Sequence, residues 1–298
     1  MEGRTYEAAG VSLTTAESVV ERLRRAVEST GASGFGAFAG LHPLDDDRLL
    51  AGSTDSVGTK LILARERGRL RDCGADLAAH CINDVITTGA RPLFLLDYVA
   101  AASIDLEQVA ELVDGAAEVC RAAGVVLVGG ETAELPGIYR DGEVDFAGTC
   151  VGIVDRDRLV DGSHIREGDL VVGFPSAGVH ANGFTLVRRI LEQEDYDGAD
   201  LLAPTRLYLD EVHRLPDAHG FAHITGGGIA GNLERILPEG LRAEIEWDAW
   251  ERPPVFEWLG RHVDEHELRR VFNLGIGYCA VVPEPEEGDL AFGKIVRA

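Results

Sequence analysis

Apolar side chains at Ala16, Val19, Val20, Leu23, Ala26 and Val27 recur at helical spacing, so the pattern predicts a helix over 14–30. A glycine-rich stretch follows, then the short apolar run "RLLAGS" (48–53), which reads as a strand leading into the polar loop "TDSVGTK". A helix is expected across "DLAAHCINDVITTG" (76–89). A buried strand is expected at "RPLFLLDYVAA" (91–101), introduced by Pro92. "LEQVAELVDGAAEVCRAAG" reads as a second long amphipathic helix ended by Gly124, and "VVLVGGETAE" and "VDFAGTCVGIVD" as further strands. The sequence turns polar over 155–168, which sets a domain boundary at 158/159. Beyond it, strand and helix patterns resume: "DLVVGFPSAG", "GFTLVRRILEQ", "PTRLYLDEVHRL", "TGGGIAGNLERIL", "LRAEIEW" and "GIGYCAVV". Alternation in each half predicts two α/β domains with mixed sheets, 1–158 and 159–298.

Composition narrows the function classes. With 45% apolar and 27% charged residues, the 298-residue chain is that of a water-soluble globular protein. No apolar run is long enough to cross a bilayer, and the first residues lack a secretory pattern, so a cytoplasmic location is expected. A net charge of −23 disfavours nucleic acid as a partner. The five cysteines show no paired spacing and are expected to be free core residues. An acidic protein that handles anions needs fixed cations, metal ions or backbone N–H groups where they bind.

The candidate chemistry meets that need in several places. "TDSVGTK" is not a Walker A loop, because Gly58 is followed by Thr59 before Lys60. It leaves Asp55 and Lys60 at two ends of a loop, able to hold a metal and a phosphate, or to form a surface ion pair. Asp84, Asp97 and Glu131 lie in or beside apolar elements, where carboxylates are costly unless paired or on a metal. With Asp55 they form a hard oxygen set suited to Mg²⁺, the alternative of several separate salt bridges being the weaker because basic residues nearby are few. "GASGFGAFAG" offers a loop around Gly34, Phe35 and Gly36 whose N–H groups suit an anion, or is an ordinary mobile loop, since it lacks the G-x-G-x-x-G of a dinucleotide fold. "SAGVHANGF" places His180 and Asn182 before a helix, and "TGGGIAGN" places Thr225 before three glycines, an anion-site arrangement. His180 suits general acid–base work or donation to a phosphate, or is a satisfied loop histidine. His262 and His266 have zinc-helix spacing but lack the glutamate of that motif, so a solvated face is expected.

Taken in order, "TDSVGTK", "CINDVITTGARPLFLLDY", "LVGGETAELPGIY", "GVHANGFTLVR", "LLAPTRLY", "HITGGG" and "VFNLGIG" resemble the aminoimidazole ribonucleotide synthetase (phosphoribosylformylglycinamidine cyclo-ligase) family. The likeness runs from about residue 5 to 282. It implies a homodimer whose N-terminal sheets join into a barrel, a ferredoxin-like C-terminal domain, and ATP near the dimer interface. It also implies ATP- and Mg²⁺-dependent closure of an imidazole ring through a phosphorylated formyl-amide oxygen. On this resemblance Gly34, Phe35, Gly36, Thr54, Asp55, Gly58, Thr59 and Lys60 face ATP. Asp55, Asp84, Asp97 and Glu131 hold Mg²⁺. Asn182, Gly183, Thr225, Gly226, Gly227 and Gly228 face the phosphorylated substrate, and Lys60 and His180 are catalytic. Another ATP-dependent member of the same superfamily, or a non-catalytic nucleotide-binding paralogue, are the alternatives. Two departures stand out. Ser56 replaces a glycine, restricting positive φ, and the segment before "AFGKIVRA" is short, which puts the second domain's edge in question.

Overall fold

In the computed structural model, which describes residues 5–10, 13–32 and 35–298, helix α1 (Leu13–Glu28) precedes a five-stranded sheet. That sheet comprises β1 (Gly40–Pro43), β2 (Arg48–Ser56), β3 (Arg91–Ala101), β4 (Val126–Glu134) and β5 (Val144–Asp155). Its order is β1-β2-β5-β3-β4, antiparallel except for the β3–β4 pair. Mixed pairing follows from the connections. Crossovers through helix α3 (Leu70–Ile86) and helix α4 (Leu106–Ala122) each return the chain in the same direction, whereas the β1–β2 and β4–β5 connections reverse it, so β5 runs antiparallel between β2 and β3.

One face of this sheet is covered by α3 (Leu70–Ile86), which packs on α4. The two helices approach so closely that a Cβ at Gly74 would fall 2.0 Å from the Leu112 carbonyl oxygen, and one at Gly115 1.9 Å from that of Arg71. Only glycine fits at this crossing. Strand alternation fixes what faces α3: Leu49, Ala51 and Ser53 are buried, as are Cys150 and Leu95 at the register positions opposite Ser53. The other face bears Leu96 and, on the edge strand β4, Val126 and Val128, all exposed in the single chain.

The short helix α2 (Lys60–Glu66) begins where the sequence pattern suggested a loop, and β2 runs on through Ser56. Ser56 pairs with Ala147 and is not among the residues with positive φ, so glycine's freedom is not needed there. The helix drawn from residue 76 starts six residues earlier, at Leu70.

A second sheet follows a short 3₁₀ turn at Arg156–Arg158. Its strands are β6 (Leu170–Pro175), β7 (Gly220–His223), β8 (Leu241–Ile245), β9 (Ile276–Val282) and β10 (Leu290–Arg297). They are ordered β7-β9-β6-β10-β8, with every neighbour antiparallel. Helices α5 (Phe184–Leu191), α6 (Leu209–Arg214), α7 (Gly228–Glu234), α8 (Pro254–Gly260) and α9 (Glu265–Val271) complete this half. The pattern left α8 and α9 unassigned and drew α6 too long, from Pro204. The closing "AFGKIVRA", which follows the short segment, lies in β10, an interior strand between β6 and β8. His262 is buried edge-on against Trp258 at 5.5 Å while His266 is exposed, so only the second histidine lies on a solvated face. The five cysteines are free and buried.

Candidate active site

Asp76, His80 and Asp84 are spaced four residues apart on α3, so they share one face of the helix. That face points into the seam between the two halves, and its two ends behave differently.

At the first end everything is paired. Asp76 Oδ1 accepts from the Thr205 amide (2.8 Å) and hydroxyl (2.7 Å), and Oδ2 lies 2.6 Å from Lys60 Nζ. Lys60 also donates to the Ala203 carbonyl (3.1 Å), and neither charged side chain is exposed. Next along the helix, Asn83 donates to the Arg206 carbonyl (2.8 Å) and accepts from the Tyr208 amide (3.0 Å). The segment "APTRLY" is thereby strapped to α3. This corrects the expectation for Lys60. A buried ammonium requires a carboxylate within reach, and Asp76 supplies it, so Lys60 Nζ is held by Asp76 and out of solvent.

At the second end lies a network centred on two histidines. His80 Nδ1 lies 3.1 Å from Asp55 Oδ2, and His223 Nδ1 lies 2.8 Å from Asp84 Oδ1. Ser53 donates to Asp84 Oδ2 at 2.9 Å, and the two imidazoles meet edge-on with centroids 5.0 Å apart. Burial opposes charge on His80, but contact with Asp55 outweighs it and raises the pKa above the ordinary histidine value. Asp55 shows the converse: burial pushes it up, and the hydrogen bond and charge of His80, together with the Ser56 amide, more than compensate, leaving its pKa lowered. Burial prevails at His223, whose pKa is lowered despite Asp84. The Nε2 atoms of both histidines are buried without a protein partner among the described residues.

Two loops from the second half close on this end. Asn182 Oδ1 accepts from the Gly226 amide (3.2 Å), joining "HANG" to "TGGG". Asn232 Nδ2 donates to the carbonyls of Thr225 (3.2 Å), Gly226 (3.3 Å) and Gly228 (2.8 Å). The Gly228 amide bonds to the Thr225 carbonyl at 3.2 Å, so the Gly226 and Gly228 donors are already engaged; Gly227, at φ 100°, caps α7. Gly183, at φ 77°, caps α5. Arg235 lies with its guanidinium 3.8 Å from the Phe38 ring centroid and donates to the carbonyls of Gly36 (3.2 Å) and Ala37 (3.0 Å). A cavity of about 740 Å³ lies beside this loop, lined by Phe35, Gly36, Phe38, Thr87, Thr88 and Arg235 among others. Gly34 lies outside the described residues.

His180 does not face this cleft as a catalyst would. It is fully buried at φ 62°, and its Nε2 accepts from the Ala177 amide at 3.3 Å. Burial, reinforced by His80 and His223, holds its pKa well below the ordinary range. It is a neutral ring shaping its own loop.

The four carboxylates do not converge as one cluster. Asp97 points to the helix-covered face but toward α4, over Gly130, where a Cβ would lie 2.7 Å from Asp97 Oδ1. Burial raises its pKa. Glu131 pairs in register with Tyr98 and Thr54 with Thr149, both on the opposite, outer face; the Thr54 and Thr149 hydroxyls are 2.8 Å apart. Among the described residues no group of three or more His, Cys, Asp or Glu is placed to hold a metal. The narrower pair Asp55 and Asp84 fits Mg²⁺, which takes one or two carboxylates and completes its shell with phosphate oxygens and water. Gly58 and Thr59 line a separate hollow of about 310 Å³ with Tyr139, and Thr59 Oγ1 meets Thr185 Oγ1 of α5 at 3.0 Å.

Sequence reasoning passed over Asp76, His80, Asn83, His223, Asn232 and Arg235. The spacing of Asp76, His80 and Asp84 was a usable signal, as was His223 two residues before Thr225. Nothing local marked Arg235.

Comparison with known proteins now bears on this geometry. Residues 36–154 match the profile of "AIR synthase related protein, N-terminal domain", and 166–291 that of the corresponding C-terminal domain. The chain belongs to the AIR synthase family. Among members of that family it is 46% identical over 307 residues to phosphoribosylformylglycinamidine cyclo-ligase of Synechococcus sp. (strain CC9605), covering 95% of this chain and 89% of the relative. The Sorangium cellulosum cyclo-ligase is 46% identical over 305 residues (93% and 88%). The Vigna unguiculata chloroplastic/mitochondrial one is 44% identical over 298 residues (94% and 75%). Solved structures share the fold. Thiamine monophosphate kinase of Aquifex aeolicus superposes with TM-score 0.68 at 16% identity, covering 96% of both chains. T. maritima PurL complexed with ADP gives 0.63 at 19%, covering 89% of this chain and 43% of that one.

Proposed function

We propose that the protein is a phosphoribosylformylglycinamidine cyclo-ligase, closing the imidazole ring of aminoimidazole ribonucleotide at the expense of ATP. The observation that carries this reading is likeness to cyclo-ligases over 95% of the chain, extending across the seam where Asp55, Asp84, "HANG" and "TGGG" meet. An amide oxygen is a poor leaving group. Its phosphorylation by ATP makes phosphate the leaving group when the amidine nitrogen of the same substrate attacks. A site for this reaction must hold both reacting ends together and neutralise charge during phosphoryl transfer.

We assign ATP to the cavity beside Phe35 and Gly36, with Arg235 holding that loop. Asp55 and Asp84 would hold Mg²⁺, which spreads the charge of the transferred phosphoryl group when bound. His80 and His223 orient those carboxylates through Nδ1. We assign the positioning of the substrate to Asn182, Gly183 and the Thr225–Gly228 loop, with Lys60 and His180 as supports rather than reacting groups. The exposed apolar outer face around Leu96, Val126 and Val128 supports a homodimer joined sheet to sheet into a barrel, which also gives Thr54 and Glu131 an interface to serve. Among the described residues no helix is long and apolar enough to cross a membrane, and we take the enzyme to be cytoplasmic.

Incubation with formylglycinamidine ribonucleotide, ATP and Mg²⁺ tests the assignment. Imidazole product with stoichiometric ADP is expected. Phosphoryl transfer only to another acceptor would make it a different enzyme of the superfamily, and nucleotide binding without turnover a non-catalytic paralogue.

A further inference from the structure

We propose that the protein carries a second anion site, built for a nucleoside monophosphate, on the far side of the last turn of α3. Asp84 and Ile86 are two residues apart and so face different sides of that turn. Beyond Ile86 opens a cavity of about 530 Å³ between the start of β3, the end of β5 and helix α6. Its apolar walls include Ile86, Ile153, Leu209 and Val212, and its polar rim is Arg48, Arg91, Arg158, His213 and Asp155.

The charges on this rim are not balanced. Arg48 is spoken for, with its guanidinium 2.6 Å from Asp45 Oδ2, and Asp155, the one carboxylate among the lining residues, faces Arg48 across the β2–β5 register. The guanidinium groups of Arg91 and Arg158 make no ion pair or hydrogen bond among the described residues. In a chain of net charge −23, where carboxylates greatly outnumber cations, two unpaired arginines at one cavity mouth mark a place where the electrostatic field favours an anion. Planar guanidinium groups suit phosphate oxygens geometrically. The volume falls in the range of small-molecule sites, and the apolar wall offers a flat ring a dry surface.

The cavity also spans both halves of the molecule. Arg48, Arg91 and Ile153 belong to the first sheet, while Leu209, Val212 and His213 belong to α6. A ligand seated here ties the halves together at a point the proposed active site does not use, so its binding raises the stability of their junction by mass action.

Calorimetric titration of the full chain with AMP, adenosine and inorganic phosphate tests this. A saturating non-hydrolysable ATP analogue is kept present so that AMP does not report the ATP cavity. One equivalent of AMP is expected to bind, at least about tenfold tighter than either fragment. Arg91→Glu and Arg158→Glu should each weaken AMP by about tenfold or more, with ring-closing turnover measured without AMP unchanged. Both positions are exposed, so the variants should retain the wild-type melting temperature, which is checked alongside. Absence of AMP binding, AMP binding unaltered by both substitutions, or phosphate binding as tightly as AMP would each overturn the proposal.

Discussion

The two ends of the polar face of α3 are built from similar residues and reach opposite outcomes. Around Asp76 every charged atom has a protein partner: Lys60, the Thr205 amide and hydroxyl, and beyond Lys60 the Ala203 carbonyl. Around Asp84 the carboxylates are held by histidines, yet His80 Nε2, His223 Nε2 and Asn182 Nδ2 are buried without protein partners among the described residues. A closed network fixes geometry, and one with surplus donors and acceptors keeps binding capacity in reserve. One helix face, from Asp76 to Asp84, thus joins the halves at one end and presents a site at the other.

The largest expected effect falls on the joint. Lys60→Met leaves the Asp76 carboxylate buried without its counter-ion, and loss of one partner of a buried pair costs about 3–5 kcal/mol. Urea unfolding of Lys60→Met and of the double variant Lys60→Met/Asp76→Leu measures this. The double variant should recover part of the loss, because removing both charges removes the stranded one. A single variant as stable as wild type would end the description of this pair as the joint.

Next comes the site end. Asp84→Asn is nearly isosteric and can still accept from Ser53, so the melting temperature should change little. Turnover should fall by about 100-fold if Asp84 stabilises transferred charge. Measuring kcat across a Mg²⁺ titration sharpens the contrast: a joint residue would lose stability first, a site residue activity first. Unchanged turnover at limiting Mg²⁺ would remove Asp84 from the site.

A smaller effect is expected in the pH dependence of stability, read on Mg²⁺-free protein. The His80 pKa is raised in the folded state, so its contribution is fully present below the unfolded histidine value near 6.5 and is lost as pH rises through the folded value. The Asp55 pKa is lowered, so its contribution is present above about 3.9 and is lost as pH falls through the folded value. His223 is pushed down by burial and costs stability once pH drops below about 6.5. Denaturant midpoints of His80→Gln should therefore lack the alkaline decline of the wild type. Parallel profiles would mean that His80 carries no charge in the folded protein.

How much of this was legible beforehand follows the range of the interactions. Strands β3 and β5 were readable to the residue because runs such as "RPLFLLDYVAA" carry local β pattern and turn signals at both ends. The start of α3 was not, because "LRDCGA" is mixed in polarity and its role is to let Gly74 approach α4, a tertiary fact. Asp55 and Asp84 were recognisable as buried acids in company. Their histidine partners were not, since His80 looked like one more residue of a buried helix and His223 is 139 positions from Asp84. Lys60 was misread for the same reason. Its counter-ion, Asp76, belongs to another helix, and a short-range motif could not distinguish a lysine reaching a phosphate from one reaching Asp76. The face of a strand residue was decidable in principle by parity. Asp97 and Glu131 sit on adjacent strands, and only the β3–β4 register reveals that they point to opposite sides.

The smallest expected effect lies where joint and site touch. Thr59 caps α2 one residue before Lys60, and its hydroxyl meets that of Thr185 on α5, two residues after Gly183. Thr59→Val keeps the shape and removes one hydroxyl, leaving the Thr185 hydroxyl to find water. The pair is part-buried, so the loss should be about 0.5–1.5 kcal/mol, well below that of Lys60→Met. If this contact belongs to the joint, the loss appears in urea unfolding and KM for the phosphorylated substrate stays fixed. Should KM rise while stability holds, the hydroxyl pair positions the "HANG" loop instead, and the boundary between the two ends of the seam moves one side chain toward Lys60.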